Sequence, residues 1–424
     1  MKETSKGITT PIGFSAASTS VGIKPSGKPD MTMIVADRVC NAAGVFTRNR
    51  SQGAALAVDK AHLRSGQAQV IVANSGNANA ATGTTGNRNA IAMTTAAATT
   101  LDQAGTKVNA KDVLPSSTGV IGVQLPMVKI HSGISQLVEK LHRGPKANQD
   151  AARGIMTTDL VPKGAYRRLR IHGQTVHLAA IAKGSGMICP NMATMLAFLT
   201  TDAVIEPKLL RVVLRQAVTK SFNCISVDQH TSPCDTVLLL ASGGAAHRPI
   251  GATGKGAQIF SSALLDLCQD LAYQIIADGE GATKILWIQI KRAARQTDAD
   301  RVAKAIVDSP MVKTGMNGED PSCWGRIVTA AGYSGAPVDP DRMSLSIAAA
   351  TGRPGHSASK SSITVYRQGL PAQLNRGTAN RLQGILHQKE IHVTLDLGQG
   401  TAKAQWLGCD LSHDYVTLNT RYTT

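Results

Sequence analysis

The chain has few aromatic residues and lacks the patterns typical of membrane, disulfide-rich and zinc-binding proteins. Phe, Trp and Tyr make up only 3% of its 424 residues, although hydrophobic residues reach 42%. Such a core must be built from Ala, Val, Ile, Leu and Met. The seven cysteines are widely spaced without a Cys-x-x-Cys pair, which argues against a disulfide framework and a zinc site. No apolar window reaches transmembrane length, so no membrane association is predicted.

The sequence also lacks an apolar h-region near its start and any long run of basic residues. Reduced thiols and the missing signal pattern predict a cytoplasmic protein. Lys and Arg number 45 against 28 Asp and Glu, giving a net charge of +17. Because these residues are scattered and not interleaved with aromatics, a basic enzyme surface that attracts acidic substrates is favoured over a nucleic-acid-binding protein, which stays an alternative. No metal and no cofactor are predicted.

The most specific pattern lies in residues 181–202. It begins with a flexible turn, Lys183-Gly-Ser-Gly186, and continues through Cys189-Pro-Asn191, where proline interrupts regular structure. Thr194 follows the small Ala193 at the start of an apolar run. A Thr placed in this way can attack its own preceding peptide bond, and its new α-amine can then act as base for its hydroxyl. From spacing alone, a β-branched residue opening a buried strand is the more common explanation.

The sequence around this threonine resembles the processing site of the ornithine acetyltransferase (glutamate N-acetyltransferase) family. The matching residues run from Lys183 to Met187 and from Pro190-Asn-Met-Ala-Thr-Met to Leu196. Other matching segments extend over nearly the whole chain and include Gly22-Ile-Lys24, Ala43-Gly-Val-Phe-Thr47, Val312-Lys-Thr314 and Trp324-Gly-Arg326. The resemblance implies that the chain cuts itself between Ala193 and Thr194. Residues 1–193 would form an α chain and residues 194–424 a β chain, intertwined in one fold and paired as α2β2.

The resemblance also assigns an oxyanion hole to Thr118 and Gly119. A strand runs into this pair, and the glycine allows backbone N–H groups to converge on an anion. Taken alone, an ordinary glycine turn explains the segment at least as well. Donors placed where negative charge develops typically lower a barrier by about 3–4 kcal/mol.

Substrate contacts are the other roles that the resemblance implies. They fall on Thr157, Thr158, Lys183, Thr194, Glu280, Asn419 and Thr424. The sequence does not choose between the two adjacent threonines, because Leu160 stands where the family usually has another Thr. Glu280, between two glycines, is expected to bind the amino group of ornithine. Lys183 would hold a substrate carboxylate or tune the α-amine of the nucleophile.

Two segments depart from the family pattern, and their effect stays open. Gln229 to Cys234 replaces acidic and small polar residues, and the segment with Ser322 and Cys323 carries one residue more than usual. His230 and Cys189 are interpreted as structural residues, since neither stands in a pattern that makes a base or a nucleophile.

The periodicity of apolar residues predicts an α/β protein. A β meander is expected over residues 8–50, a strand over 67–72 that ends in a polar loop, and a helix capped at Thr297-Asp298. Residues 391–397 and 402–407 are predicted to form a hairpin. The resemblance implies a layered helix–sheet–sheet–helix fold of the self-processing type.

The implied activity is a ping-pong acetyl transfer from N-acetylornithine to glutamate through an acetyl-enzyme on Thr194. Whether acetyl-CoA is a second donor is left open by the sequence. A related self-processing amidohydrolase or aminopeptidase, which passes the acyl group to water, is the alternative within the same chemistry.

Overall fold

The computed structural model describes residues 6–189, 195–350 and 362–420. Three of the predicted site residues, Ala193, Thr194 and Thr424, lie outside these ranges. The exposed insertion expected at 351–362 also lies outside them, apart from exposed Ser362. Within the described ranges, no helix combines the length and apolar character needed to cross a membrane.

The described chain folds into strands and helices that alternate along most of its length. The strands are β1 (Phe14–Thr19), β2 (Met31–Phe46), β3 (Gln67–Asn77), β4 (Val113–Val120), β5 (Lys163–Ile171), β6 (Gln174–Lys183), β7 (Leu196–Thr201), β8 (Ile225–Ser226), β9 (Thr236–Ala241), β10 (Ile285–Ala293), β11 (Ser344–Ala349), β12 (Ile363–Arg367), β13 (Leu370–Pro371), β14 (Glu390–Asp396) and β15 (Ala402–Cys409). The α-helices are α1 (Ala54–His62), α2 (Gly83–Gln103), α3 (Met127–Glu139), α4 (Pro145–Gly154), α5 (Pro207–Thr219), α6 (Lys255–Ala277), α7 (Gln296–Asp308), α8 (Pro310–Asn317), α9 (Trp324–Gly332), α10 (Arg376–Leu386) and α11 (His413–Thr420).

The first sheet is organised around the long strand β2, which is shared between two halves. Its order is β4-β3-β2-β9-β7-β6-β5, with β1 also paired to β2. The first half of β2 pairs with β1, whereas the second half pairs with β9. The register with β3 shifts between Val35 and Cys40. A bulge of this kind bends a strand, so that one strand can serve two sheet halves.

Alternating side chains of the central strands belong to two different cores. In β7, Ala197 and Leu199 join the core that contains α5 and α6 residues, whereas Leu196 and Phe198 join a core shared with β1 and β3. This period of two is the geometry of a strand buried on both faces. Residues of α2 and α3 cover the other face of the β1–β4 half. The predicted layered helix–sheet–sheet–helix α/β fold is therefore confirmed.

A second sheet follows in the later part of the chain. Its order is β13-β12-β11-β14-β10-β15-β8, and residues of α7 to α10 share its core. The hairpin predicted for residues 391–397 and 402–407 is wrong, because β10 lies between the two strands. Leu286 of β10 pairs with Ile391 of β14 on one side and Gly408 of β15 on the other.

Two boundaries also differ from the predictions. Helix α7 begins at Gln296 with Arg295 as its N-cap, so Thr297 lies inside the helix and does not cap it. Strand β3 continues to Asn77, through part of the predicted polar loop. Its polar end stays in the sheet because residues 70–77 pair in parallel with β4.

The sheet order places the two sides of residues 190–194 next to each other. Strands β6 and β7 are antiparallel neighbours, and Lys183 pairs with Leu196. Strands β7 and β9, both later in sequence than residue 193, lie between β2 and β6, which come earlier. The segments before and after the predicted cut therefore interleave within one sheet.

Candidate functional site

One cavity of about 200 Å³ collects every predicted site residue that lies in the described ranges. These residues are Thr118, Gly119, Thr157, Thr158, Lys183, Glu280 and Asn419. They come from strands, loops and the last described helix. The first and the last of them, Thr118 and Asn419, are 301 positions apart in the sequence (419 − 118), so it is the fold that brings them together.

Gly119 lies at an irregularity in the pairing of β3 with β4. The register slips at Asn77, which pairs with both Thr118 and Val120. Gly119 has a φ of +132°, and a Cβ there would lie 2.5 Å from the backbone nitrogen of Asn77. Only glycine fits this position. Because backbone N–H groups leave the regular ladder at such an irregularity, this corner is suited to receive an anionic oxygen.

Lys183 approaches the same corner from the end of β6. Its Nζ donates to Thr118 Oγ1 at 3.4 Å, and the residue is only 2% exposed. Burial lowers the pKa of this amine, an effect that the carboxylate of Asp159 partly opposes. A buried cation with few fixed partners gains strongly from an arriving carboxylate or oxyanion.

A buried carboxylate connects the two segments that carry the cavity-lining Thr157 and Lys183. Asp159 accepts hydrogen bonds from Lys163 Nζ at 2.6 Å, Gly184 N at 2.7 Å and Thr157 N at 2.9 Å. Burial alone would raise the pKa of Asp159, but the ammonium groups of Lys163 and Lys183 outweigh it and lower the value to about 2. Asp159 therefore holds the loop that contains Thr157 and Thr158 against the Lys183-Gly184 turn.

The two candidate threonines both line the cavity. The hydroxyl of Thr158 lies 3.1 Å from that of Ser185, and the backbone N–H of Thr157 is held by Asp159. The pair thus joins the loop after α4 to the turn after β6, and the choice of the substrate-binding hydroxyl stays a prediction.

Glu280 lies next to Gly186, which belongs to the turn after β6. It is 9% exposed, and its Oε2 accepts from Asn419 Nδ2 at 2.9 Å. A Cβ on Gly186 would collide with the Glu280 carboxyl group. This close approach explains why a glycine stands at Gly186.

The C-terminal helix α11 is attached to the site by polar contacts, since none of its described residues is buried. Besides the Asn419 contact, Tyr415 donates its hydroxyl proton to Asp228 at 3.3 Å, and Ser412 donates to the carbonyl of Gly281 at 2.6 Å. Burial and the Asp228 carboxylate raise the pKa of Tyr415, which keeps its hydroxyl protonated as a donor.

Two aspartates that sequence reasoning missed, the half-buried Asp228 and the buried Asp235, hold the chain on either side of residues 190–194. Asp228 accepts from the backbone N–H of Met187 and from that of Ile188 at 2.9 Å, and burial raises its pKa. Asp235 accepts from Met195 N at 3.0 Å. Met195 directly follows the predicted nucleophile.

Asp235 is the more unusual of the two. It is fully buried, and its Oδ2 has no hydrogen-bond partner among the described residues. Burial raises its pKa well above the ordinary range, although the N–H of Met195 and the charge of Lys183 oppose this. Its neighbour Cys234 lines the cavity. The only sequence signal was the position of Asp235 just before a buried strand.

The departures from the family pattern fall in different places. Ser232, Pro233 and Cys234 line the cavity, whereas His230 is exposed. Cys323 is 1% exposed within the core of the second sheet, so that departure lies away from the cavity wall.

Cys189 is buried, and burial raises the pKa of its thiol to about 12. A thiol that stays protonated is a poor nucleophile, in agreement with its structural interpretation. Among the described residues, no cluster of three or more His, Cys, Asp and Glu side chains could hold a metal ion.

The chain is similar in sequence to members of a known protein family. The model of the ArgJ family matches residues 15–424. The chain is 42% identical over 420 residues to a protein of Symbiobacterium thermophilum named arginine biosynthesis bifunctional protein ArgJ, covering 99% of this chain and 98% of that protein. A protein of the same name from Thermotoga neapolitana is 41% identical over 416 residues, covering 98% and 99%.

A solved structure of ornithine acetyltransferase from Mycobacterium tuberculosis, complexed with ornithine, is 34% identical with a TM-score of 0.40. The match covers 45% of this chain and 96% of that one.

Proposed function

The chain belongs to the ArgJ family, and from this premise we propose that it transfers an acetyl group from N-acetylornithine to glutamate in arginine biosynthesis. The observation that carries the proposal is the convergence of seven predicted site residues on one cavity. We further propose that the chain cleaves itself between Ala193 and Thr194, and that Thr194 is the nucleophile.

In the first half-reaction, Thr194 Oγ attacks the acetyl carbonyl of N-acetylornithine. The α-amine of Thr194 takes up the hydroxyl proton, for which its reference pKa of about 7.7–8.0 is well suited. The amide C–N bond then breaks, the proton passes to the departing amine of ornithine, and an acetyl ester stays on Oγ. In the second half-reaction, the glutamate amine attacks this ester, and Oγ recovers its proton.

The Thr118–Gly119 corner would stabilise the negative oxygen in both half-reactions. Gly119 gives the backbone close access, and Lys183 adds positive charge 3.4 Å from Thr118 Oγ1. Because Lys183 is buried, its charge is weakly screened, so stabilisation of a developing anion is stronger than at a solvated surface.

Glu280 would hold the free side-chain amine of ornithine. Its carboxyl group lies on the cavity wall and is oriented by Asn419. A carboxylate paired with an ammonium makes a charge-assisted hydrogen bond, about twice as strong as a neutral one. Ornithine presents this amine and glutamate does not, so Glu280 would distinguish the first substrate from the second.

Asp235 is proposed as a positioning residue. Its hydrogen bond to Met195 N fixes the residue that follows the nucleophile, and Thr47 N in turn donates to the Asp235 backbone carbonyl at 3.0 Å. The start of β7 would thereby be held in place before and after cleavage.

The test is the fate of the acetyl group. Purified protein is incubated with N-acetylornithine, with and without glutamate, and both ornithine and N-acetylglutamate are measured. We expect ornithine release to depend on glutamate and to match N-acetylglutamate formation mole for mole. Release of ornithine and free acetate at the same rate without glutamate would instead identify an amidohydrolase.

The proposal includes an α2β2 assembly of the two fragments and a cytoplasmic location, the latter based on the scattered, unpaired cysteines. Use of acetyl-CoA as a second donor is tested by supplying it in place of N-acetylornithine in the same assay.

A further inference from the structure

A second cavity, of about 400 Å³, is lined by four cationic side chains. We call it the cationic pocket, and its cations are Arg48, Lys60, Arg211 and Arg215. They come from the loop after β2, from α1 and from α5. Of the described residues that line the pocket, none is Asp or Glu.

The four cations are not neutralised by nearby carboxylates of the described chain, although Lys60 donates to Gln52 Oε1 at 2.6 Å. None of them forms an ion pair with a described carboxylate. Arg211 and Arg215 stand four positions apart on α5, and like charges at this spacing destabilise a helix. A protein that gathers repelling cations around a cavity gains most when an anion occupies it.

The remaining wall of the pocket is apolar. Phe46, Val45 and Val218 line it, and the ammonium of Lys60 lies 5.8 Å from the Phe46 ring centre. Guanidinium groups bind phosphate oxygens through paired N–H donors, whereas an aromatic and aliphatic wall accommodates the flat body of an organic ligand. A volume of this size falls in the range of small-molecule sites.

We propose that the cationic pocket binds a nucleotide-type ligand through two or more phosphate charges. Such chemistry is shared by free nucleotides and by the nucleotide end of coenzyme A. A hydrogen bond connects the pocket to the candidate active site, because Thr47 lines the pocket and donates its hydroxyl proton to the carbonyl of Ser232 at 2.9 Å. Ser232 lines the active-site cavity. Binding in one cavity can therefore affect the other cavity through this hydrogen bond.

The test measures binding of three probes to the intact protein by calorimetry at physiological salt: pyrophosphate, ADP and coenzyme A. The variant is Arg211→Ala with Arg215→Ala. Both side chains are exposed on a helix, where alanine is the best helix former. The matched control is Arg376→Ala with Arg381→Ala, two exposed arginines on α10 that change the net charge equally.

We expect ADP to bind the wild type and the control with equal affinity, and the α5 variant at least about tenfold more weakly, the loss typical of charged hydrogen bonds. Tighter binding of coenzyme A than of ADP would identify the coenzyme as the source of the phosphates. Equal affinity would identify a free nucleotide.

Equal affinity of all probes for wild type and the α5 variant would overturn the proposal, as would no binding to the wild type. If the α5 variant does not fold, Arg48→Gln with Lys60→Gln removes charge from the other two elements and is expected to give the same loss. These binding readouts do not depend on acetyl transfer, so failure here leaves the proposed function untouched.

Discussion

At the scale of single residues, the site depends on close contacts at positions where only glycine fits. Gly119, Gly186 and Gly281 each stand where a Cβ would collide with a neighbouring group. The neighbouring groups belong to the end of β3, to Glu280 on the cavity wall and to the segment that begins the C-terminal helix, respectively. A glycine within a sequence motif can therefore indicate a close contact with a part of the chain that is distant in sequence.

Gly119→Ala tests the proposed oxyanion hole at Thr118 and Gly119. The new Cβ would press on Asn77, and the φ of +132° is unfavourable for alanine, so the backbone donors are expected to shift. Loss of one such donor typically lowers kcat by about 10²–10³. Steady-state kinetics with N-acetylornithine and glutamate provide the measurement.

Gly122→Ala is the matched control, because it has φ of +83° but no atom within 4 Å of the new Cβ. It carries the strain of the dihedral without the collision. Comparable loss of kcat in both variants would argue that strain alone, and not displaced donors, explains the effect.

Glu280→Gln tests recognition of the ornithine amine. The substitution keeps the shape and removes the charge, and a hydrogen bond to a charged group is worth about 1.5–3 kcal/mol. We expect KM for N-acetylornithine to rise by roughly one to two orders of magnitude, with a smaller change for glutamate. An equal change for both substrates would contradict the assignment. The same substitution at exposed Glu139 serves as control.

At the scale of elements, helix α11 shows how a chain end can be ordered without burying a side chain. It bears no buried residue, yet polar contacts to Asp228, Glu280 and Gly281 hold it at the cavity. Its stability is thus tied to the site that it completes.

Gly281→Ala is expected to detach this helix. Its Cβ would collide with the backbone nitrogen of Tyr415 and lie 2.9 Å from Ser412 Oγ. We expect faster proteolysis after residue 412 and a higher KM, with chain cleavage at Thr194 unaffected. Gly335→Ala shares the positive φ, at +73°, but meets no atom within 4 Å. Equal protease sensitivity in the two variants would refute the docking role.

Local pattern predicted the type of several elements but not their partners. The strand expected from residue 67 and the helix expected near Thr297 both formed, as β3 and α7. The error at β14 and β15 arose because a short glycine connection resembles a hairpin turn. It was the much earlier β10 that filled the place between them. Pairing between strands about a hundred residues apart cannot be recognised from a short stretch of sequence.

The same limit applies to the site. Motif resemblance supplied seven of the residues that line the cavity, whereas the aspartates that support them were missed. Asp159, Asp228 and Asp235 act through backbone N–H groups and lysines that lie elsewhere in the sequence. A lone acidic residue in a loop carries no sign of such partners.

At the scale of the whole molecule, the net charge of +17 coexists with fully buried carboxyl groups. Asp59 on α1 is 0% exposed, and neither carboxyl oxygen has a partner among the described residues. Burial raises its pKa well above the ordinary value. Because the folded pKa exceeds the unfolded one, its contribution to stability is complete below pH about 3.9 and is lost as pH rises through the folded pKa.

Asp59→Leu is expected to remove this pH-dependent penalty. Leucine has similar shape and needs no hydrogen bond, so the variant should melt at higher temperature than the wild type at pH 8. The difference should shrink toward pH 4, where the wild-type carboxyl group is protonated. Thermal unfolding across this range gives the answer, and a constant difference at all pH values would contradict it.

The interleaved sheet also bears on how the two proposed fragments stay together. Strands β7 and β9 from the second segment lie between β2 and β6 from the first, so separation would break a continuous sheet. We therefore expect the fragments to remain associated until denaturant is added. Any analysis of the separate fragments must follow denaturation.

The most direct measurement of the central claim is the mass of each fragment after brief incubation with N-acetylornithine alone, followed by acid denaturation. The account predicts two fragments, with one acetyl group added only to the fragment that begins at Thr194. Thr194→Ser should still cleave and become acetylated, whereas Thr194→Ala should give one uncut, unacetylated chain. An acetyl group on the other fragment, or normal acetyl transfer by Thr194→Ala, would contradict the account.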